Sequence, residues 1–422
     1  MIKKKHIAKL FPRYIMAGAL TMSMLFAYNG HALAKTQREN IRDVKAQISK
    51  DAREFSENSM GQTKYNIYQK NVKSGSKIKD KFLQKLQTEN KNVTKFQAKN
   101  FTIAGITSQE LKTLQNDENI IIEKDYLLEG SADTAEDVWQ KSLDTVVEEA
   151  WDVKAVHAEN EKISVDKKVK VAVLDSGLDK FAKLSVEGCM NFVDPDTDDI
   201  GMDTTGHGTA VQNIILSNED SVATESVAKE NQGISMYSLK VLDEENQAPV
   251  SRVAAAIHWC IENDMDIINM SFGTLVPSVI LEQAVKEAAD AGILMIAAVG
   301  NGGEASGSTV EYPAAFSEVV GVGSVNQNME VSDFSSKGEE VELVAPGENV
   351  PVSIPWGYYG VNSGTSFAAP HVTAVAGLLW AQDKGKSAED IRSLLRASAK
   401  GDWEENQAGS GMVDYSYASK IQ

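Results

Sequence analysis

The chain has 422 residues, 42% of them hydrophobic, and sets 42 Lys and Arg against 60 Asp and Glu for a formal net charge of −18. A composition of this kind folds into two or three soluble domains, and its acidity excludes nucleic acid as the main partner, because phosphate contacts need clustered Lys and Arg. Two cysteines, Cys189 and Cys260, with no CxxC pair, exclude a disulfide framework and a structural zinc site.

The chain opens on Lys3, Lys4, Lys5, Lys9 and Arg13, then an apolar run over 14–28, then Ala32-Leu33-Ala34. That run of about 15 residues is shorter than the ~20 a spanning helix needs, and Ala-x-Ala is a cleavage pattern, so 1–34 is expected to be a secretory signal peptide, with an uncleaved amphipathic anchor as the alternative. No later run reaches 18 apolar residues, so the mature chain is expected outside the cell without a membrane segment.

Residues 35–130 carry 18 basic and 13 acidic side chains, and with five more positive charges in 1–34 this leaves −28 for residues 131–422. A basic piece ahead of an acidic body suits two parts that associate, although two differently solvated surfaces would give the same count. Within 35–130 the sequence predicts a strand at 65–68, a Lys-rich helix at 77–86, an apolar segment at 96–106, a helix capped by Thr107 and Ser108 running to Gln115, and a closing strand at 120–122. Together they make a small α+β domain. Residues 131–149, rich in Asp, Glu, Ser and Thr, are expected to be a linker.

From 150 to 422 short apolar runs alternate with amphipathic stretches. The runs 169–174, 236–242, 266–270, 293–299 and 319–325 are nearly continuous, as strands buried on both faces require, and 251–263 and 278–291 are expected helices between them. The pattern predicts an α/β fold with a mostly parallel, doubly wound sheet, whose ligands bind beyond the carboxyl ends of the strands.

Four groups fall at such places. Asp175 ends the first run, where a carboxylate is equally a turn former, a metal ligand or a catalytic group. His207, in Thr205-Gly206-His207-Gly208-Thr209, is the one histidine of the body flanked by glycines on both sides. Ser366 stands at the start of a helix apolar on nearly every face through Trp380, either as a cap or as a hydroxyl beside the positive end of a helix. His371 lies roughly 140° round that helix, which disfavours it as a base for Ser366. Asn301, in Gly300-Asn301-Gly302-Gly303, is either a left-handed turn residue or an amide donor to an oxyanion. Together these four supply a nucleophile, a base, an orienting carboxylate and an oxyanion donor.

The order Asp175, His207, Ser366 matches neither the α/β-hydrolase nor the chymotrypsin arrangement and is the subtilisin order. The sequence resembles a subtilase through Asp175-Ser176-Gly177, Gly206-His207-Gly208-Thr209 and Gly364-Thr365-Ser366-Phe367-Ala368-Ala369-Pro370-His371, over roughly 150–418. The resemblance implies a three-layer subtilisin-like fold and a secreted serine endopeptidase in which Asp175, His207 and Ser366 form the triad. It also implies Asn301 as oxyanion donor, and Ser271, Phe272, Gly273 and Gly300 as groups that bind an extended peptide. By the same resemblance 35–130 is an inhibitory propeptide, so the expected partners are polypeptide substrates and the chain's own propeptide, acting on a monomer.

Departures from the family pattern fall in Ala210-Val211-Gln212-Asn213 and in a longer acidic loop over 217–233, which put the family's strong calcium site in doubt. No cofactor is expected for the chemistry, and Asp194, Asp196, Asp198 and Asp199 are an oxygen-rich cluster that suits either a solvated loop or Ca²⁺. Cys189 and Cys260 are expected to be unpaired, partly buried thiols. Two other functions stand beside this one: a dedicated processing peptidase for one secreted precursor or leader, which the loop departures favour slightly, and a non-catalytic binding protein with the same fold, against which the presence of all three triad residues counts.

Overall fold

The computed structural model describes 63–69, 101–106, 120–130, 151–158 and 168–421, except 183, 196–200, 218–225, 230–232, 304–307, 355–357 and 402. The expected signal peptide, the helices at 77–86 and 107–115, the linker at 131–149 and three of the four clustered aspartates (196, 198 and 199) lie outside the described residues. Two compact units divide the chain, Met1–Thr63 and Lys64–Gln422, and every described residue but Thr63 belongs to the second.

In the amino-terminal part, β1 (Thr63–Gln69), β2 (Phe101–Ile106) and β3 (Ile120–Lys124) form a sheet in the order β2-β1-β3, with β1 antiparallel to β3. A fourth strand, β4 (Leu127–Gly130), follows after two residues and joins a different sheet, described with the site below.

The body begins with a short helix, α1 (Trp151–Ala155). Next come β5 (Val169–Asp175), β6 (Gly188–Asn191), α2 (His207–Ile215), the short β7 (Leu216–Ser217) and β8 (Ala228–Lys229), and β9 (Ile234–Lys240). The middle holds β10 (Gln247–Pro249), α3 (Val250–Glu262), β11 (Ile267–Met270), β12 (Phe272–Gly273), α4 (Val279–Asp290), β13 (Leu294–Ala298) and β14 (Val319–Val325). The chain closes with β15 (Val341–Pro346), the hairpin β16 (Val350–Ile354) and β17 (Tyr358–Asn362), then α5 (Thr365–Gln382), α6 (Ala388–Ser398), α7 (Glu405–Ala408) and α8 (Tyr415–Ile421).

Seven strands make the central sheet in the order β15-β14-β13-β11-β5-β9-β6, and all six pairings are parallel. Alternation along each strand divides the core into two layers. Val169, Val171 and Val173 of β5 pack with α2, α5, α6 and α8, whereas Ala172 and Leu174 pack with α3 and α4. Burial on both faces is the reason these strands are apolar without a break, and each such side chain contributes on the order of 1.5–3 kcal/mol. Helix α5 runs through one layer with every residue from Thr365 to Ala381 buried, which explains its lack of a polar face.

The expected runs all fall on strands of this sheet; 319–325 is β14 itself, and the others have displaced ends, 236–242 being β9, two residues earlier. Missing from the expectation were β6, β15 and the β16–β17 hairpin, whose sequences mix polar residues with apolar ones. Both cysteines are unbonded, as expected, but Cys260 is entirely buried on α3 rather than partly, and burial pushes its thiol up; Cys189 is half-buried. Among the described residues no helix is long and apolar enough to cross a membrane.

Close approach of α2 to the end of β5 leaves no room at Gly208, where an added Cβ would stand 2.5 Å from the Gly177 carbonyl oxygen and 3.1 Å from Asp175 Oδ1. Gly208→Ala is therefore expected to lower stability by about 1–3 kcal/mol. A denaturation midpoint equal to wild type would show that the two backbones separate without cost.

Candidate active site

Asp175 is the last residue of β5 and is fully buried. Its carbonyl accepts from the amides of Val241 (2.7 Å) and Leu242 (3.1 Å), so the chain leaving β9 locks the end of β5 in place. Its Oδ1 accepts from the Ser176 amide at 2.7 Å and lies 2.7 Å from His207 Nδ1. Because an ionised carboxylate only accepts, Nδ1 is the donor and Nε2 is the acceptor of the neutral ring. That Nε2 is buried and makes no hydrogen bond among the described residues.

His207 opens α2, and the capping residue before it, Gly206, brings no side chain. Asp203 takes over that task. Its Oδ1 accepts from the amides of Thr205 (3.0 Å) and Gly206 (2.8 Å) and from Ser176 Oγ (2.9 Å), while Oδ2 accepts from the amide and hydroxyl of Thr209 (2.9 and 2.6 Å). Ser176 Oγ in turn accepts from the Gly208 amide at 2.8 Å, which ties the turn after β5 to the first turn of α2. Asp203 was missed in the sequence; the signal was an Asp three residues before a glycine cap.

Ser366 is the second residue of α5 rather than its cap, which is Gly364. Its hydroxyl donates to the Ser271 carbonyl at 2.9 Å, not to His207. A reciprocal bond runs from Ser271 Oγ to the Ser366 carbonyl, 2.9 Å away. Pro370 explains the second bond: it has no N–H to give the carbonyl four residues back, so that carbonyl takes an outside donor. Ser271 Oγ also accepts from Asn269 Nδ2 (3.0 Å), and Thr373 Oγ1 donates to Asn269 Oδ1 (2.8 Å), which pins α5 to the end of β11. The imidazole of His207 packs against the ring of Phe367, the residue after Ser366, with centroids 5.8 Å apart. Catalytic hydrogen bonds are often long or unmade before substrate binds, so the Ser271 bond of this hydroxyl does not exclude a later one to Nε2.

Asn301 follows β13 and is exposed. Its Oδ1 accepts from both the amide and the hydroxyl of Thr365, each at 3.0 Å, which fixes the amide end, Nδ2, as the donor. His371 is occupied elsewhere: it is fully buried, with Nδ1 2.7 Å from the Phe367 carbonyl and Nε2 3.2 Å from Asp152.

The remaining residues of the expected set lie along one edge. Phe272 and Gly273 form β12, which pairs antiparallel with β4 in the register Phe272↔Gly130 and Gly273↔Glu129, and β10 pairs on the other side of β4. Gly300 lies between β13 and Asn301, its amide donating to Thr365 Oγ1 at 3.2 Å. Two carboxylates just before β4 cap helices of the body. Glu123 accepts from Ser278 Oγ and from the amides of Val279 (2.8 Å) and Ile280 (3.2 Å) at the start of α4, and Asp125 accepts from the amide and hydroxyl of Ser251 (3.0 and 2.7 Å) in the first turn of α3. Among the described residues no group of three or more His, Cys, Asp or Glu side chains is placed to hold a metal ion.

Burial disfavours the charged imidazole of His207, but the charge and hydrogen bond of Asp175, with the charge of Asp203, outweigh it and raise its pKa above the ordinary 6.5. Asp203→Asn removes one negative charge and keeps the Asp175 bond. The titration midpoint of His207, followed by NMR of the ring protons, is expected to move down in that variant; an unmoved midpoint would show that Asp203 acts through hydrogen bonds alone.

The sequence model of the Subtilase family matches residues 166–418. Among curated proteins the chain is 34% identical over 293 residues to the minor extracellular protease Epr of Bacillus subtilis (strain 168), covering 68% of this chain and 43% of that protein. It is 37% identical over 254 residues to M-protease of Shouchella clausii (strain KSM-K16), covering 60% of this chain and 64% of that one, and 35% identical to Subtilisin BL of Lederbergia lenta, covering 60% and 91%. The chain thus spans less than half of Epr and about two thirds of M-protease. The matched region takes in the whole parallel sheet and the edge on which Asp175, His207, Asn301 and Ser366 stand, and the chain belongs to the subtilase family.

Proposed function

We propose that the protein is a secreted, monomeric serine endopeptidase made as a self-inhibited precursor. The observation that carries this is the buried His207 held at Nδ1 by Asp175, its Nε2 without a partner among the described residues, and its ring against Phe367, the residue after Ser366 at the start of α5. Ser366 Oγ attacks the scissile carbonyl as its proton passes to His207 Nε2, and the tetrahedral oxyanion accepts from Asn301 Nδ2 and the Ser366 amide. The C–N bond then breaks, the imidazolium gives its proton to the leaving amine, and an acyl group remains on Ser366. Water attacks that ester with His207 again as base, which returns the free serine. Asp175 holds the ring and stabilises its charged form throughout. Apart from the substrate and the attacking water, every group in these steps belongs to the protein, so the chemistry calls for no cofactor.

The inhibitory arm of the proposal rests on β4. It lies between β10 and β12 as an added strand, the way an extended peptide is recognised on an open sheet edge. Leu128, fully buried, anchors it among the α3 side of the core. Casein turnover distinguishes a broad degradative role from that of a dedicated processing peptidase.

A fluorophosphonate should label the wild-type protein and not Ser366→Ala; a protein that takes no label would be a binding protein of this fold. Asn301→Ala is expected to lower kcat by about 10²–10³-fold, a magnitude that comes from subtilisin itself, a member of this family, rather than from the geometry here. If amide hydrolysis by that variant matched wild type, Asn301 would have no part in oxyanion binding. In the uncut chain, Glu123→Ala combined with Asp125→Ala removes two helix caps and should speed labelling of Ser366 roughly tenfold or more. Equal labelling of the uncut bands would show that these carboxylates do not hold the inhibitor in place.

A further inference from the structure

We infer that Glu311 makes the cleft select a basic residue, Lys or Arg, on the acyl side of the scissile bond; the inference deepens the peptidase proposal above and rests on it. The register of β4 locates that residue. Glu129 stands opposite Gly273 and Gly130 opposite Phe272, so in an extended peptide laid along β12 the next residue faces Ser271, the residue whose carbonyl accepts from Ser366 Oγ. A substrate in this register therefore offers its next carbonyl to Ser366.

The wall of the cleft at this point is made by two residues without side chains, and Glu311 fills the space behind them. A Cβ added at Gly273 would be 2.3 Å from Glu311 Oε2, and one added at Gly300 would be 2.7 Å from Oε1. Gly300 is the neighbour of Asn301, so the carboxylate lies between the strand that binds the peptide backbone and the segment that carries the oxyanion donor. Backbone bonds hold it there: the Glu311 amide donates to the Val299 carbonyl, and Tyr312 exchanges both backbone bonds with Thr274.

What sets Glu311 apart is the lack of a partner. Several buried or half-buried acids of the body have cations, Glu342 with Arg392, Asp266 with Lys384 and Asp414 with Lys400, and Asp203 has amide and hydroxyl donors on both oxygens. Glu311 is half-buried and makes no hydrogen bond or ion pair through its carboxylate among the described residues. Burial, with the nearby charge of Glu129 adding to it, pushes its pKa up to about 7. Removing a carboxylate from water without a counter-charge is unfavourable, and any residue seated over it removes more water. A Lys ammonium or an Arg guanidinium turns that cost into a charge-assisted hydrogen bond, while an apolar side chain does not. The chain's own inhibitory strand does not supply this cation: Glu129, the residue of β4 nearest in charge, repels the site.

The experiment compares peptides identical except for the residue before the cut, which is Arg, Lys, Gln, Phe or Glu. They are given to the secreted protein after its linker has been cut, and the concentration of reactive Ser366 is taken from fluorophosphonate labelling of a separate aliquot, so that rates refer to competent sites. The expected result is a kcat/KM for Arg and Lys roughly 10- to 100-fold above that for Phe, and a fall in this ratio of about tenfold or more in Glu311→Gln. Glu311→Lys should move the preference toward Glu, a reversal that misfolding would not produce. A wild-type enzyme that cuts after Phe as well as after Arg, or a ratio unchanged in Glu311→Gln, overturns the inference while leaving the peptidase in place. Absence of label on Ser366 overturns both.

Discussion

The carboxylate of Asp175 sits at the end of a strand with no access to water, and the 2.7 Å contact to His207 Nδ1 is what makes it tenable there. A buried anion without donors is costly, so this contact and the Ser176 amide are needed for folding as well as for any chemistry. It also fixes the ring: with Nδ1 committed, Nε2 is the basic atom, whatever lies near it. The surroundings serve this one bond. Val241 and Leu242 clamp the carbonyl of Asp175, Gly208 lets the helix approach it, and Asp203 builds the turn that delivers His207.

A second buried polar group plays the same part for the serine. Pro370 deprives the Ser366 carbonyl of its helical donor, and the hydroxyl of Ser271 replaces it. The start of α5 is therefore tied to the end of β11 through a bond that an ordinary helix would have kept for itself. Ser271 also accepts the Ser366 hydroxyl through its carbonyl, so both polar groups of Ser366 outside its amide are held by one residue at the end of β11.

How far all this could be read in advance depended on the kind of signal. Strands buried on both faces, such as 319–325, announce themselves as unbroken apolar runs, and β14 has those bounds. Strands with one wet face or at an edge do not: β15 carries Glu342 and β6 begins at Gly188, and neither stood out. Asp175, His207, Ser366 and Asn301 were legible because each follows or opens an element whose type was clear, and the motifs around them resemble the family. Asp203 and Asn269 were not, since their role lies in bonds to residues distant along the chain or across the sheet. Glu311 was passed over for the same reason. Its significance comes from Gly273 and Gly300, 38 and 11 positions away, and from the absence of a cation that no local pattern discloses.

The amino-terminal segment raises a question of magnitude that its contacts answer. Two helix caps from Glu123 and Asp125 are each worth about 1 kcal/mol, and the burial of Leu128 about 1.5–3 kcal/mol. Taken separately these are weak. Held on the same chain as the cleft they act at an effective concentration in the millimolar range or above, and the strand stays in place. In the proposed scheme a cut in the linker leaves each of these contacts intact and removes only the tether, so that escape becomes a matter of dilution. Repulsion between Glu129 and Glu311 then works in one direction: it weakens the retained strand relative to a substrate that brings a cation, and the cleft that was first closed by its own chain is left better suited to another.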